Sequence, residues 1–196
     1  MTNQSQISRR EALRKTSLLV GSGLAASTVA AIMSGCQAPL DPDWTPSFFS
    51  VEHSETLAHI AETILPKTDT PGALDAKVHR YIDELAANVY SKNRQDELMS
   101  GLAEFEAQCK SKFSKAFAKL GAEQRKEFLQ QLHEESKAME ESTGGALSFF
   151  EDMRQLTIAG FCTSEIGATQ VLKYDPIPGS YEPCIPYEDV GGVWAY

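Results

Sequence analysis

The sequence predicts an all-α fold, an irregular bundle of about five helices that ends in an extended arm rich in proline and tyrosine. Three observations carry this reading. Between residues 57 and 160, apolar residues recur at i, i+3, i+4 and i+7, the spacing of one helix face. No stretch alternates in period two for long enough to mark a strand. Past Gly167 the composition changes: Pro176, Pro178, Pro183 and Pro186 are four of the nine prolines, and Tyr174, Tyr181, Tyr187 and Tyr196 are four of the six tyrosines. With 196 residues the chain has room for one domain of ordinary size.

The first segment, 1–35, reads as an export signal. Arg9, Arg10, Arg14 and Lys15 face a single acid, Glu11, and no charge follows from Thr16 to Leu40. A basic region, a mildly apolar Gly- and Ala-containing core and a small-residue end make a signal peptide. The adjacent Arg9 and Arg10 make it a twin-arginine type. The alternative is a retained membrane anchor, since the uncharged stretch is long enough to span a bilayer. Met33-Ser34-Gly35-Cys36 resembles a bacterial lipobox, in which the Cys36 thiol would take a diacylglycerol and become the new N-terminus. Two or three acyl chains hold a protein firmly at a membrane. The competing reading is a coincidental cysteine beside an ordinary cleavage site. Without the leader, 14 basic residues face 26 acidic ones, a balance of −12 within an overall −9. So acidic a surface repels phosphate and disfavours a nucleic-acid partner.

Residues 36–50 hold Pro39, Pro42 and Pro46 among polar residues and read as a tether. The domain then runs from 51 to 196. Leu57, Ile60, Ala61 and Ile64 mark a first helix that Pro66 stops. Thr70 as cap and Pro71 at the first helical position open a second, with Leu74, Val78, Tyr81, Ile82, Leu85 and Val89 along one face. A third runs through Leu98, Leu102, Phe105, Cys109, Phe113 and Phe117, with a break inside it and its end at Gly121. Phe128, Leu129, Leu132 and Met139 mark a fourth. Gly144 and Gly145 separate it from a fifth, carrying Phe149, Met153, Leu156 and Gly160. The arm, 168–196, cannot be helical through its prolines. Its Tyr174, Pro176, Tyr181, Tyr187 and Trp194 suit contact with a partner, and equally an arm that wraps its own domain.

Catalytic motifs are missing from the sequence. It has no GxGxxG run, no GxxxxGK[ST] loop, no CxxC and no HExxH. His53 and His59 are too far apart to share one helix face, while His79 and His133 stand alone, so each reads as a surface or cap residue and no metal site is expected. Glu134, Glu135, Glu140 and Glu141 read as a solvated helix face rather than a catalytic carboxylate pair. No catalytic, cofactor-binding or metal-binding residue is therefore assigned. A twin-arginine leader, expected to carry folded and often cofactor-loaded cargo, thus sits on a chain with no cofactor site. One resolution is that the cofactor belongs to a partner that crosses with this chain.

Several blocks resemble the gluconate 2-dehydrogenase subunit 3 family. They are Ile64-Leu65-Pro66-Lys67-Thr68-Asp69-Thr70-Pro71-Gly72-Ala73, the segment Phe149 to Thr157, Gly160 to Gly167, Tyr174 to Cys184, and Gly192-Val193-Trp194. The resemblance implies a small non-catalytic subunit that aids folding, export and docking of a large glucose–methanol–choline type dehydrogenase carrying FAD, with a multihaem cytochrome c often taking the electrons onward. It assigns no catalytic residue to this chain, and the Cys36 lipobox is not a general family feature. Outside the cytoplasm disulfides persist. A Cys162–Cys184 bridge would pin the arm to the bundle and add on the order of 3 kcal/mol; alternatively one of the two bonds a cysteine of the large subunit. Cys109, on an apolar stripe, is expected as a buried free thiol. The competing function is a lipid-anchored periplasmic adaptor without a redox partner; a free-standing enzyme would need a pocket of convergent titratable groups.

Overall fold

The computed structural model describes residues 41, 43–143, 148–177, 179–180 and 184–195, without the side chains of 139–143 and 187. The leader at 1–35, Cys36, Gly144, Gly145 and Tyr181 lie outside the described residues. The architecture is all-α, as expected. Among the described residues five helices make the bundle: α1 (Val51–Ile64), α2 (Val78–Asn88), α3 (Lys92–Phe113), α4 (Ala122–Thr143) and α5 (Phe149–Cys162). A 3₁₀ turn, Phe117–Lys119, separates α3 from α4. After α5 come a π-helical turn (Gly167–Val171), β1 (Lys173–Tyr174), the single-turn α6 (Tyr187–Val190) and β2 (Trp194–Ala195).

Serine starts three of the helices. Ser50, Ser91 and Ser148 each hold extended backbone and accept the N–H of His53, Arg94 and Glu151, satisfying one orphan donor per helix. The apolar stripes then decide the packing. Helix α1 lies against α2, α4, α5 and the 3₁₀ turn, and α5 also touches α2, α3 and α4. These two helices form the centre of the bundle. The core is aromatic on one side: Phe105 meets Phe117 at 4.9 Å, Phe128 at 5.3 Å and Phe149 at 5.6 Å between ring centroids, in edge and tilted arrangements that favour aromatic pairs. Leu57, Ile60, Ile82, Leu98, Leu102 and Met153 fill the rest.

The structure corrects several element boundaries. The third helix ends at Phe113, not Gly121, because Ser114 turns left-handed (φ 55°) and swings Phe117 back into the core. The second starts at Val78, seven residues after Pro71. The N–H groups of Gly72 and Leu74 are taken by the carboxylates of Asp75 and Glu62, and Lys77 is left-handed at φ 53°. Val89, expected on the buried face, is 68% exposed just past the end of α2. The arm is not extended throughout. Its strands pair in parallel, Lys173 with Trp194 and Tyr174 with Ala195, and close residues 173–195 into a loop. Gly191, with φ +70°, makes the turn that a side chain would resist.

The π-helical turn hangs on Gly167. A Cβ there would fall 1.9 Å from the Phe161 carbonyl oxygen, which is backbone and cannot yield. Gly179, by contrast, has nothing within 4 Å of a built Cβ. Gly167→Ala is therefore expected to destabilise by about 2 kcal/mol, with Gly179→Ala within about 0.5 kcal/mol of the parent, as read by urea unfolding.

Candidate functional site

The segment expected to be a tether proves to be a strap from Asp41 onward. Asp83, on α2 and 0% exposed, accepts the backbone N–H groups of Ser47 (2.7 Å), Phe48 (3.1 Å) and Phe49 (2.9 Å). Three donors on one carboxylate are charge-assisted bonds, roughly twice as strong as neutral ones. Phe49 drops into the core beside this anchor. Ahead of it, the Arg80 guanidinium grips Asp41 through Nε and Nη2, both at 2.5 Å, and stands 5.5 Å from the Trp44 ring. This pairing holds the Asp41 carboxyl at about 2, well below the usual carboxylate range. Its stability contribution is complete above pH 4 and disappears as the pH falls through about 2.

His79 corrects the expectation of a surface histidine. It is buried, edge-on to Trp44, with Nε2 3.1 Å from Asp41. Burial pulls its pKa down, so the ring is neutral at pH 7 and donates from Nε2, while Nδ1 has no partner. His59 on α1 is also neutral: burial first, then the charges of Arg125 and Lys119, lower it to about 4. Its Nδ1 accepts from Arg125 Nη1 at 2.8 Å, and Arg125 also donates to the carbonyls of Phe117 and Ala118. Cys109 is the buried free thiol expected, with its pKa raised to about 11 by burial and the Glu106 charge.

The loop at 66–75 is tied to itself. Glu62 accepts from the N–H groups of Lys67 and Leu74, at 3.0 and 2.9 Å, and Asp75 accepts from Gly72 N–H and Lys67 Nζ, both at 3.0 Å. Its side chains thus build a turn rather than offer a reactive group. A groove of about 520 Å³ lies between α3, α4 and the start of α5. Its floor is Leu98, Phe105, Leu132 and Phe149, and Glu97, Glu104 and Glu135 stand among its lining residues. Arg94 and Asp152 close on each other there at 2.5 Å. Among the described residues no group of three His, Cys, Asp or Glu side chains is placed to hold a metal ion. Glu134 and Glu135 are exposed on α4, Glu134 paired with Lys137 and Glu135 with Gln131.

The arm carries most of the large exposed apolar side chains among the described residues. Ile177 is 83% exposed, Val193 72% and Tyr174 50%, with Val171 and Ile185 also exposed. Of the residues singled out in the sequence, Tyr174 and Pro176 face solvent, and Trp194 is half-buried with Lys173 Nζ 4.0 Å above its ring. The side chains of Tyr181 and Tyr187 lie outside the described residues. Cys162 is half-buried and Cys184 exposed, and both are free thiols in this structure. Sequence reasoning missed Ile177, Ile185 and Val193. Isoleucine or valine beside proline and glycine was their one signal, weaker than the tyrosines around them.

Exposed apolar side chains gathered on one loop are the kind of surface that protein–protein contacts use. Residues 52–179 match the family model of gluconate 2-dehydrogenase subunit 3, and the chain belongs to that family of dehydrogenase-complex subunits. No curated protein and no solved structure matches the chain. The matched span begins beyond the strap and ends before α6 and β2.

Two outcomes test this geometry. Asp83→Ala leaves three N–H groups without their acceptor and is expected to cost about 3 kcal/mol, with the amides of residues 47–49 losing protection in hydrogen exchange before those of α5. Stability is expected to rise with pH between about 4 and 6.5, because the unfolded chain protonates His59 and His79 before the folded one does. In His59→Asn the pH slope of the urea midpoint becomes shallower.

Proposed function

We propose that this chain is the non-catalytic small subunit of an exported flavin-dependent sugar or alcohol dehydrogenase, and assists the folding, twin-arginine export and membrane docking of the large catalytic subunit. The family match over residues 52–179 is the observation that carries this reading. The adjacent Arg9 and Arg10 supply the export signal, and Cys36 the lipid anchor that holds the complex at the periplasmic face of a membrane. Among the described residues no helix is long and apolar enough to cross a membrane. FAD belongs to the large subunit of the glucose–methanol–choline type, and a multihaem cytochrome c is the onward electron acceptor.

The exposed arm is the docking element. Tyr174, Ile177, Ile185 and Val193 present apolar area that a partner would bury, at roughly 25 cal/mol per Å². Ile177→Asp combined with Val193→Asp is expected to reduce the large subunit recovered with this chain at least tenfold. Stability should stay within about 1 kcal/mol of the parent, because both side chains are already in water. For export, Arg9→Lys with Arg10→Lys is expected to leave both subunits in the cytoplasmic fraction. A large subunit that reaches the periplasm regardless overturns the reading and favours an adaptor without a redox partner.

A further inference from the structure

We propose that the strap takes up the slack of the lipid anchor, so that Trp44 and the N-terminal end of α2 are held against the bilayer. The inference rests on the reading above that Cys36 is acylated. What it adds is the orientation. From Cys36 to Asp41 the covalent chain can span no more than about 18 Å even fully extended. Asp41 is fixed to the bundle: Arg80 and His79 hold that carboxylate, and six residues later Asp83 holds three consecutive N–H groups. A loose tether running to Ser50 would have offered about 50 Å of reach and no preferred face. The short leash leaves the end of the bundle that carries Asp41 as the end nearest the acyl chains.

The chemistry of that end suits a lipid headgroup layer. The Trp44 ring is half-buried, edge-on to His79 and beside the Arg80 guanidinium. Tryptophan and arginine side chains settle at the level of headgroups, with apolar body and polar tip in different media. Lys77 stands exposed on the left-handed residue that opens α2 and adds a cation toward an anionic surface. The Asp41 charge is already matched by Arg80, which leaves Asp43 as the exposed acid of the strap.

The test uses the processed chain with its large subunit, purified from membranes and returned to phosphatidylcholine vesicles containing a headgroup-labelled acceptor lipid. A donor fluorophore is placed at position 77 through a click-reactive amino acid. Energy transfer should be strong. It should fall at least twofold when about a dozen Gly/Ser residues are inserted between Pro39 and Leu40, which adds roughly 20 Å of mean reach, and fall also in Asp83→Ala. Mass spectrometry of the same preparation reads the acyl group on Cys36. Its absence overturns the anchoring reading and this one with it. Its presence, with transfer that neither the insertion nor Asp83→Ala changes, overturns the short leash alone.

Discussion

One buried carboxylate organises the entry to this fold. Asp83 sits in the middle of α2, wholly out of water, and an isolated charge there would be prohibitively costly. It is tolerated because Ser47, Phe48 and Phe49 turn their N–H groups onto it. The same bonds fix where the chain arrives at the bundle. Ser50 follows at once as the cap of α1, and α1 is one of the two helices on which the others lean. Remove the carboxylate and the first core phenylalanine, the first cap and the central helix lose their common alignment.

Around that entry the bundle is built with little polar chemistry inside. The ionisable groups that do go inward are neutral or answered: His59 by Arg125, His79 by Asp41, Asp152 by Arg94 and Cys109 by a carbonyl. Each is spent on holding one element against another. The 66–75 loop follows the same logic, since its carboxylates point at its own backbone. Among the described residues, five of the eight exposed large apolar side chains lie on the arm, Ile177 and Val193 the most open of them.

Much of this was legible beforehand, and the misses have a common cause. Helical stripes such as Leu57–Ile60–Ala61 and Leu98–Leu102–Phe105 are local periodicities, and they located the helices correctly. What periodicity cannot carry is a side chain that bonds backbone far away in sequence. The Asp83 anchor spans more than thirty residues, so the strap read as a tether. The Glu62 and Asp75 carboxylates delay α2, so Pro71 read as its first turn. In the arm, proline argued for extension, and nothing local announced that residues 173 and 194 would pair. The family blocks were legible because they are contiguous; the exposed isoleucines and valine of the arm were not, because exposure is a property of the fold.

On the proposed reading, strap and arm divide the labour of a subunit: the strap ties its segment to α2, and the arm offers itself to a companion. On this account the redox group belongs to that companion. The measurement that addresses this most directly is flavin content after the complex, purified through this chain, is separated into its polypeptides under mild conditions. The account predicts a larger, leaderless flavoprotein carrying all of the flavin, with none on the small chain and no turnover by it. Flavin retained by the small chain, or substrate oxidation by it alone, would contradict the account.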